Sequence, residues 1–252
     1  MTNFSSPKIS IITVVYNSEK LIERTIKSVL GQTYNNVEYI IIDGASKDNT
    51  LSIIKSYEAK LSKWISEPDN GLYDAMNKGL SIATGDYVCF LNSGDELYNA
   101  TIVENIVASM NGLPDVIYGE TVIVDENRNN IGMRRLEAPK NLNAKSFKYG
   151  MLVCHQSVYV KRLIADNYNL QYKITADFEW VLSALEKAKN IHNTGLVHTR
   201  FLDGGLNKKN IRRALTERFQ IMVAHYGLFS TILHHFVISV KFFWFYSRNK
   251  RF

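Results

Sequence analysis

Through the first hundred residues, short apolar runs alternate with segments whose apolar positions recur at helical spacing. Residues 9–15, ISIITVV, are β-branched and apolar at nearly every position, which predicts a short strand buried on both faces. Ser18 is a candidate cap for the next segment, where Leu21, Ile22, Ile26, Val29 and Leu30 share a helical face and Gly31 offers a stop. Residues 37–42 predict a second strand, closed by Asp43-Gly44; residues 50–61 predict a helix and residues 63–66 a third strand. Leu72, Ala75, Met76, Gly79, Leu80 and Ala83 follow the i, i+3, i+4, i+7, i+8, i+11 rhythm of a helix over residues 72–83. Residues 87–91 predict another buried strand.

Strand and helix in alternation imply right-handed βαβ units and a mostly parallel sheet. Ligands on such sheets sit beyond the carboxyl ends of the strands. Four polar clusters fall there: Tyr16-Asn17, Asp43 to Asp48, Glu67 to Asn70 and Asn92 to Asp95. Ordinary loops are polar too, so position alone does not make a site. The second half reads differently. Strands are expected at 115–118, 121–124, 131–135 and 155–160, with DENRNN as the turn between the second and third. A helix is expected at 177–188, with Phe178, Val181, Leu182 and Leu185 inward, then short strands around 191–201. The arrangement predicts one α/β domain over residues 1–207, with a nucleotide half at about 8–100, an acceptor half at about 101–207 and a tail over 208–252.

Composition adds limits. Of 252 residues, 46% are hydrophobic and 21% charged, too apolar for a disordered chain. Cys89 and Cys154 form no CxxC, zinc spacing or disulfide framework. The opening MTNFSSPKIS lacks an apolar core of a secretory signal, so a cytosolic, reducing location is expected. The net charge of +6 hides an asymmetry: residues 208–252 hold nine Lys or Arg and one acid, and the remaining 21 basic and 23 acidic residues sum to −2. A basic tail on a near-neutral body attracts anionic surfaces.

The ordered set PKISIITVVYN, YIIIDGASKDNT and EPDNGLYDAMNKGLSIATGDYVCFLNSGDEL resembles the opening of a family 2 glycosyltransferase of GT-A fold, a Rossmann-like nucleotide-binding α/β domain. The likeness is dense over residues 8–98 and thinner through TADFEW and FLDGG to about residue 205. It implies a nucleotide-sugar donor, with Thr13, Tyr16, Asn17 and Asp43 at positions that hold the nucleoside. Asp43 is also a natural turn residue before Gly44. Ser46 joins this group, and Asp48 either joins it or caps the next helix. Asn92-Ser93-Gly94-Asp95 falls where the family carries the acidic metal motif LDSDD, with two acids replaced by Asn92 and Gly94. Asp95 is then expected to meet Mn²⁺ or Mg²⁺ on the diphosphate, where phosphates and water complete the shell. Asp74, Asn77, Lys78 and Asn92 are expected on the donor, although Asp74 and Lys78 also make an ordinary i, i+4 ion pair.

Asp177, in TADFEW, matches the second acid of the family's Glu-Asp pair and is expected to be the base that activates the acceptor hydroxyl. An acid at a helix start also fits the helix dipole alone; Glu179, beside it, is expected to face solvent. His155 and Gln156 are expected near acceptor or phosphate. His198 is a candidate metal ligand by the family's late histidine, Arg200 a phosphate partner, and Gly204-Gly205 a turn over the donor. Either histidine is as readily a satisfied core residue.

In the tail, Phe229, Ile232, Leu233, Phe236, Val237, Val240, Phe243 and Trp244 share one helical face, and Ser230, Thr231, His234, His235, Ser239 and Lys241 take the other. Arg248, Lys250 and Arg251 follow. His234, His235 and Lys241 interrupt any run of the roughly 20 apolar residues a spanning helix needs. An amphipathic helix on an anionic membrane surface is expected, with packing on its own domain as the competing reading. Nucleic acid is disfavoured, because the aromatics are not interleaved with basic residues. Together these features resemble bacterial non-processive enzymes that extend undecaprenyl-diphosphate sugars for O-antigen, capsule or exopolysaccharide. They imply inverting transfer of one hexose, with UDP-Gal or UDP-Glc favoured, at the cytoplasmic face of the inner membrane; a homo-oligomer is left open. A Rossmann oxidoreductase would need a GxGxxG where VVYNSEK stands, and a nucleotidyltransferase a glycine-rich phosphate loop. A noncatalytic sugar-nucleotide-binding protein is the remaining alternative.

Overall fold

In the computed structural model, which describes residues 6–204 and 210–249 (241–249 by backbone only), strand β1 (Ile9–Val15) runs parallel between β2 (Val37–Asp43) and β4 (Tyr87–Phe90). Strand β3 (Lys63–Ser66) extends this parallel half beyond β2. Beyond β4 the sheet turns mixed. Strand β8 (Val158–Lys161) is antiparallel to β4 and to β6 (Val116–Val124), β9 (Ile191–Leu202) is parallel to β6, and β5 (Glu96–Leu97) closes the edge against β9. The order is β3-β2-β1-β4-β8-β6-β9-β5, with β7 (Asn130–Met133) paired to β6 across the DENRNN turn.

Both faces of the parallel half are covered, which is why β1 and β2 carry continuous apolar runs. Alternation sends Ile9, Ile11 and Val15 to one face with α1 (Ile22–Leu30) and α4 (Ile102–Ser109). It sends Ile12 and Val14 to the other with α3 (Leu72–Ile82) and α5 (Ala176–Lys187). Gly79 lets α3 approach β1: a Cβ there would stand 2.4 Å from Ile12 Cγ2. Glu38 anchors the sheet's lower edge. Burial opposes its charge, yet bonds from the Ser10 hydroxyl and the Thr84 N–H and hydroxyl, with the Lys8 ammonium, hold its carboxyl down at about 2.

Several expectations change. The helix expected over 50–61 is α2 (Thr50–Ser56) followed by a 3₁₀ turn, Glu58–Lys60. Ser18 does not cap α1 through its side chain; its carbonyl accepts the Leu21 and Ile22 N–H groups and its hydroxyl pairs with Ser93. The strands expected at 115–118 and 121–124 are one strand, β6, with an irregular register near Glu120. The strand expected from residue 155 begins with a 3₁₀ turn, His155–Ser157.

The tail forms two helices, α6 (Ile211–Tyr226) and α7 (Leu228–Asn249). Ile221 and Met222 of α6 are fully buried in the main core. Buried Glu217 accepts the N–H groups of Lys173, Ile174 and Thr175, tying α6 to the loop before α5. Helix α7 docks by its polar side: Thr231 is buried, His234 packs edge-on to Tyr149, and His235 packs on Phe219. Its apolar side is open, with Phe229 89%, Leu233 61% and Phe236 68% exposed. No helix among the described residues is long and apolar enough to cross a membrane. The side chains of Lys241, Phe243, Trp244 and Arg248, and all of Lys250 and Arg251, lie outside the described residues.

Candidate active site

The carboxyl ends of β1, β2 and β3 meet in one hydrogen-bonded cluster. Asp43 is fully buried and accepts from the Ser46 hydroxyl at 2.5 Å and the Ser66 hydroxyl at 2.6 Å. Asn17 holds a left-handed backbone, φ 47°, and its side-chain oxygen accepts the Lys47 N–H while its own N–H donates to Ser46. Tyr16 stays 59% exposed, its ring free to face a planar ligand. Asp48 accepts the Glu19 and Thr50 N–H groups and so joins the loop after β1 to the start of α2. Thr13 is not at this surface: it is fully buried, 3.1 Å from the Tyr39 hydroxyl.

The 92–95 turn is held from α1. Arg24 donates twice to the Gly94 carbonyl, and the Thr25 hydroxyl accepts the Gly94 N–H while donating to the Asp95 carbonyl. Gly94 has φ 101°, and a Cβ there would stand 2.9 Å from Leu202. A side chain at that position is strained by the backbone and has to displace the end of Leu202. Asp95 is buried; its oxygens accept from Leu202 N and from Gln156 Nε2, each at 2.9 Å. Burial pushes its carboxyl up to about 6 against these donors and the nearby His155 and Arg24. Asn92 Oδ1 is buried without a partner.

Asp177 lies in the first turn of α5 and is also buried. Its Oδ2 stands 3.2 Å from His155 Nδ1; its Oδ1 accepts the Phe178 N–H and lies 3.2 Å from the Tyr73 hydroxyl. Burial opposes ionisation, but the His155 contact, the Phe178 N–H and the Arg218 charge outweigh it and keep the carboxyl below its ordinary range. Asp177 is therefore ionised at neutral pH. The two acids are thus joined through consecutive residues: Gln156 holds Asp95 and His155 meets Asp177. The 3₁₀ turn makes this possible, since a strand would send neighbouring side chains to opposite faces.

Other expected site residues serve the framework. The Asn77 side chain clasps the Tyr168 backbone, donating to its carbonyl at 2.9 Å and accepting its N–H at 2.6 Å. Lys78 is tied to Glu67 and to the Pro68 carbonyl, and Asp74 accepts the Asn70 N–H. Asp74 also lines a cavity of about 250 Å³ with Tyr73, Gly71, Leu170 and Lys173. His198 is fully buried, with Nδ1 on the Ser157 carbonyl and Nε2 2.7 Å from the Thr194 hydroxyl. Burial pushes its ring down to about 3, so it is a neutral core histidine with neither nitrogen free for a metal. Arg200 donates to the Tyr98 carbonyl and lines a separate cavity of about 550 Å³ with Arg24, Lys27, Glu96 and Arg128. Glu179 does not face open solvent; it is half-buried, receives the Asn169 amide and lies 4.0 Å from His225 of α6. Gly204 has φ 101°, and Gly205 lies outside the described residues.

No group of three or more His, Cys, Asp or Glu converges as a metal site among the described residues. What the chain offers a hard cation is the unpartnered Asn92 Oδ1 and the Asp95 carboxylate. These fit an ion that arrives with diphosphate oxygens, and do not make a cage that holds one alone.

Four residues carry no motif in the sequence: Ser66 on Asp43, and Tyr73, Arg134 and Arg218 in the surroundings of Asp177. Tyr73 lies off the periodic apolar positions of its helix, and Arg218 was readable only as part of a basic tail.

The family described as Glycosyl transferase family 2 matches residues 10–166. An uncharacterized glycosyltransferase of Mycobacterium tuberculosis is 35% identical over 189 residues, 71% of this chain and 70% of that protein. A PGL/p-HBAD biosynthesis glycosyltransferase of Mycobacterium bovis is 29% identical over 184 residues, 70% of this chain and 69% of that protein. Among solved structures, S. aureus TarS residues 1–349 superpose with a TM-score of 0.71 at 20% identity, over 92% of this chain and 72% of that one. The same TarS fragment has been solved with UDP-GlcNAc. The mannosyltransferase PcManGT of Pyrobaculum calidifontis, solved with GDP-Man and Mn²⁺, matches with a TM-score of 0.62 at 16% identity, over 86% of this chain and 64% of that one.

Proposed function

This chain belongs to glycosyl transferase family 2, and from that membership we propose that it moves one hexose from a UDP-sugar, UDP-Gal or UDP-Glc in first place, to a sugar carried on a lipid diphosphate such as undecaprenyl diphosphate. The GT-A fold and glycosyltransferase activity are its family's. The observation that carries the proposal is the pair His155-Gln156, whose consecutive side chains meet Asp177 and Asp95.

The nucleoside is read against Tyr16, Asn17, Asp43 and Ser46. Asp177 takes the proton of the acceptor hydroxyl as its oxygen bonds to the anomeric carbon. The bond from that carbon to the diphosphate oxygen breaks on the opposite side, and UDP leaves with the electron pair, so configuration inverts. His155 Nδ1 and Tyr73 hold the base in orientation. A bound Mn²⁺ or Mg²⁺, held by Asn92 Oδ1 and Asp95 together with the nucleotide, would neutralise charge on the leaving diphosphate.

The open apolar side of α7 supports peripheral attachment to a membrane, and with it a lipid-borne acceptor for O-antigen, capsule or related polysaccharide. On this reading the enzyme works at the cytoplasmic face of the inner membrane. The test is a donor panel of UDP-Glc, UDP-Gal, UDP-GlcNAc and UDP-GalNAc with a GlcNAc-diphospholipid, reading UDP release and product mass. One donor turned over, and turnover lost in Asp177→Asn with UDP binding kept, is expected. No transfer from any donor, with UDP bound normally, would return the chain to a noncatalytic sugar-nucleotide binder.

A further inference from the structure

Two buried arginine nitrogens have no acceptor: Arg134 Nη1 and Arg218 Nε. Arg134 follows β7 and spends its Nη2 on the Met151 carbonyl at 2.6 Å. Arg218 comes from α6 and lies 5.5 Å over the Phe178 ring, one residue from Asp177. Its charge acts on Asp177, and Arg134 is close enough to repel it. A third unpartnered nitrogen, His155 Nε2, belongs to the residue whose Nδ1 meets Asp177.

This arrangement is unfavourable as it stands. Buried guanidinium N–H groups without acceptors lose their hydration and gain nothing for it. Two like charges brought together raise that penalty. The Asp177 charge offsets part of it at Arg218, but Asp177 leaves both nitrogens without an acceptor, because its oxygens are already met by His155, Phe178 N–H and Tyr73. An anion with several oxygens lying between the two forks relieves both problems at once.

We propose that Arg134 and Arg218 form a diphosphate-binding site beside Asp177. The ligand is a diphosphate ester, since its anionic oxygens, spread over two phosphorus centres, can accept from both guanidiniums at once. The proposal rests on the glycosyl-transfer reading for the source of that ester, which is either the departing nucleotide or the diphosphate that joins the acceptor sugar to its lipid. Arg218 is supplied by the helix that runs directly into α7, so the site sits where the lipid-docking element meets the catalytic acid.

Calorimetric titration of the full chain with inorganic diphosphate is the first arm. The unmodified protein is expected to bind it, and Arg134→Gln and Arg218→Gln each to weaken binding about tenfold or more. Arg218→Lys, which keeps the charge and loses the fork, falls between. Lys55→Gln, exposed on α2, changes nothing. Thermal midpoints are read for every variant, and the Lys variant stands in if a Gln variant unfolds. The second arm names the source. It compares UDP with UMP affinity, and the KM of a diphospholipid-linked sugar with that of the same sugar on a plain alkyl chain. Loss confined to UDP identifies the nucleotide diphosphate; loss confined to the diphospholipid identifies the carrier. No diphosphate binding by the unmodified protein, or equal binding by folded Gln variants, overturns the proposal. Binding through both arginines with no sugar transfer would count against the glycosyl-transfer reading alone.

Discussion

His155 presents Nδ1 to Asp177 Oδ2 at 3.2 Å and leaves its other nitrogen buried without a partner. The contact is one of the causes that hold the Asp177 carboxyl below its ordinary range, against the opposing effect of burial. Removing the ring therefore raises the pKa of Asp177, the proposed base. Asp177→Asn is expected to lower kcat by about 10²- to 10⁴-fold, and His155→Gln by on the order of 10- to 100-fold through lost orientation. The distinguishing readout is the pH profile of kcat. In His155→Gln the acid limb moves to higher pH, because the base now protonates earlier on the way down. An acid limb that stays in place would reduce His155 to a packing residue.

His198 makes a different pH prediction. Its ring is held neutral to about 3 by burial, whereas in the unfolded chain it protonates near its ordinary 6.5. Between those values the unfolded state binds the extra proton, so stability is full above about pH 6.5 and is lost as pH falls toward 3. Glu38 acts in a lower window, because its depressed carboxyl loses its contribution only as pH falls from about 4.5 to 2. His198→Gln can still bridge the Ser157 carbonyl and the Thr194 hydroxyl. Urea melts across pH should show a flatter curve for it between pH 6 and 4. An unchanged slope there would show that His198 is not the titrating group.

The strands at 9–15 and 63–66 and the periodic helix α3 were legible in the sequence because their apolar patterns match what they pack against. Helix α6 was not, because its key inward contacts are polar: Glu217 gathers three backbone N–H groups and His225 reaches Glu186. Hydropathy reads such positions as solvent-facing. The resemblance marked Asp95 and Asp177, and the fold buries both and links them through Gln156 and His155. The resemblance was misleading where a matching residue type turned inward, as at Thr13 and Asn77, whose side chains are spent on Tyr39 and Tyr168. Only the three-dimensional contacts bring in Arg134 and Arg218, since no spacing links them.

Asn77 can be tested as a framework residue. Its two bonds to the Tyr168 backbone fasten α3 to the segment before α5, and Tyr168 in turn stacks on Tyr73 and Trp180. Asn77→Ala should destabilise the fold by roughly 1–3 kcal/mol, because a buried N–H and carbonyl lose their partners. The donor KM should change little by comparison. A large rise in donor KM at unchanged thermal midpoint would instead put Asn77 on the substrate.

Metal binding should be conditional. The chain brings one unpartnered amide oxygen and one buried carboxylate, far short of the six oxygens a hard cation prefers. Titration with Mn²⁺ should detect weak or no binding to the free protein and clear binding once UDP is present. Asn92→Asp adds a carboxylate at the unpartnered position and should tighten the ternary complex. Strong Mn²⁺ binding without nucleotide would mean that ligands outside the described residues, or a rearranged loop, complete a resident site.

The orientation of α7 inverts the usual arrangement of a surface helix. Its histidines and Thr231 face the protein, while Phe229, Ile232, Leu233, Phe236 and Val240 face out. Two of the exposed aromatics, Phe229 and Phe236, are each expected to contribute about 1.5–3 kcal/mol if they enter the acyl boundary of a bilayer. Replacing both with Ser should then lower partitioning onto anionic vesicles by about 100-fold or more in a flotation assay, while the thermal midpoint holds because neither side chain packs on the domain. Rising salt should weaken binding less than this double substitution does, since insertion is the larger contribution and the basic residues add attraction. A second copy covering the same face would give another outcome: a stable dimer in solution, no flotation, and a monomer after the double substitution. That result would remove the membrane from the proposal and, with it, the main structural reason for choosing a lipid-borne acceptor.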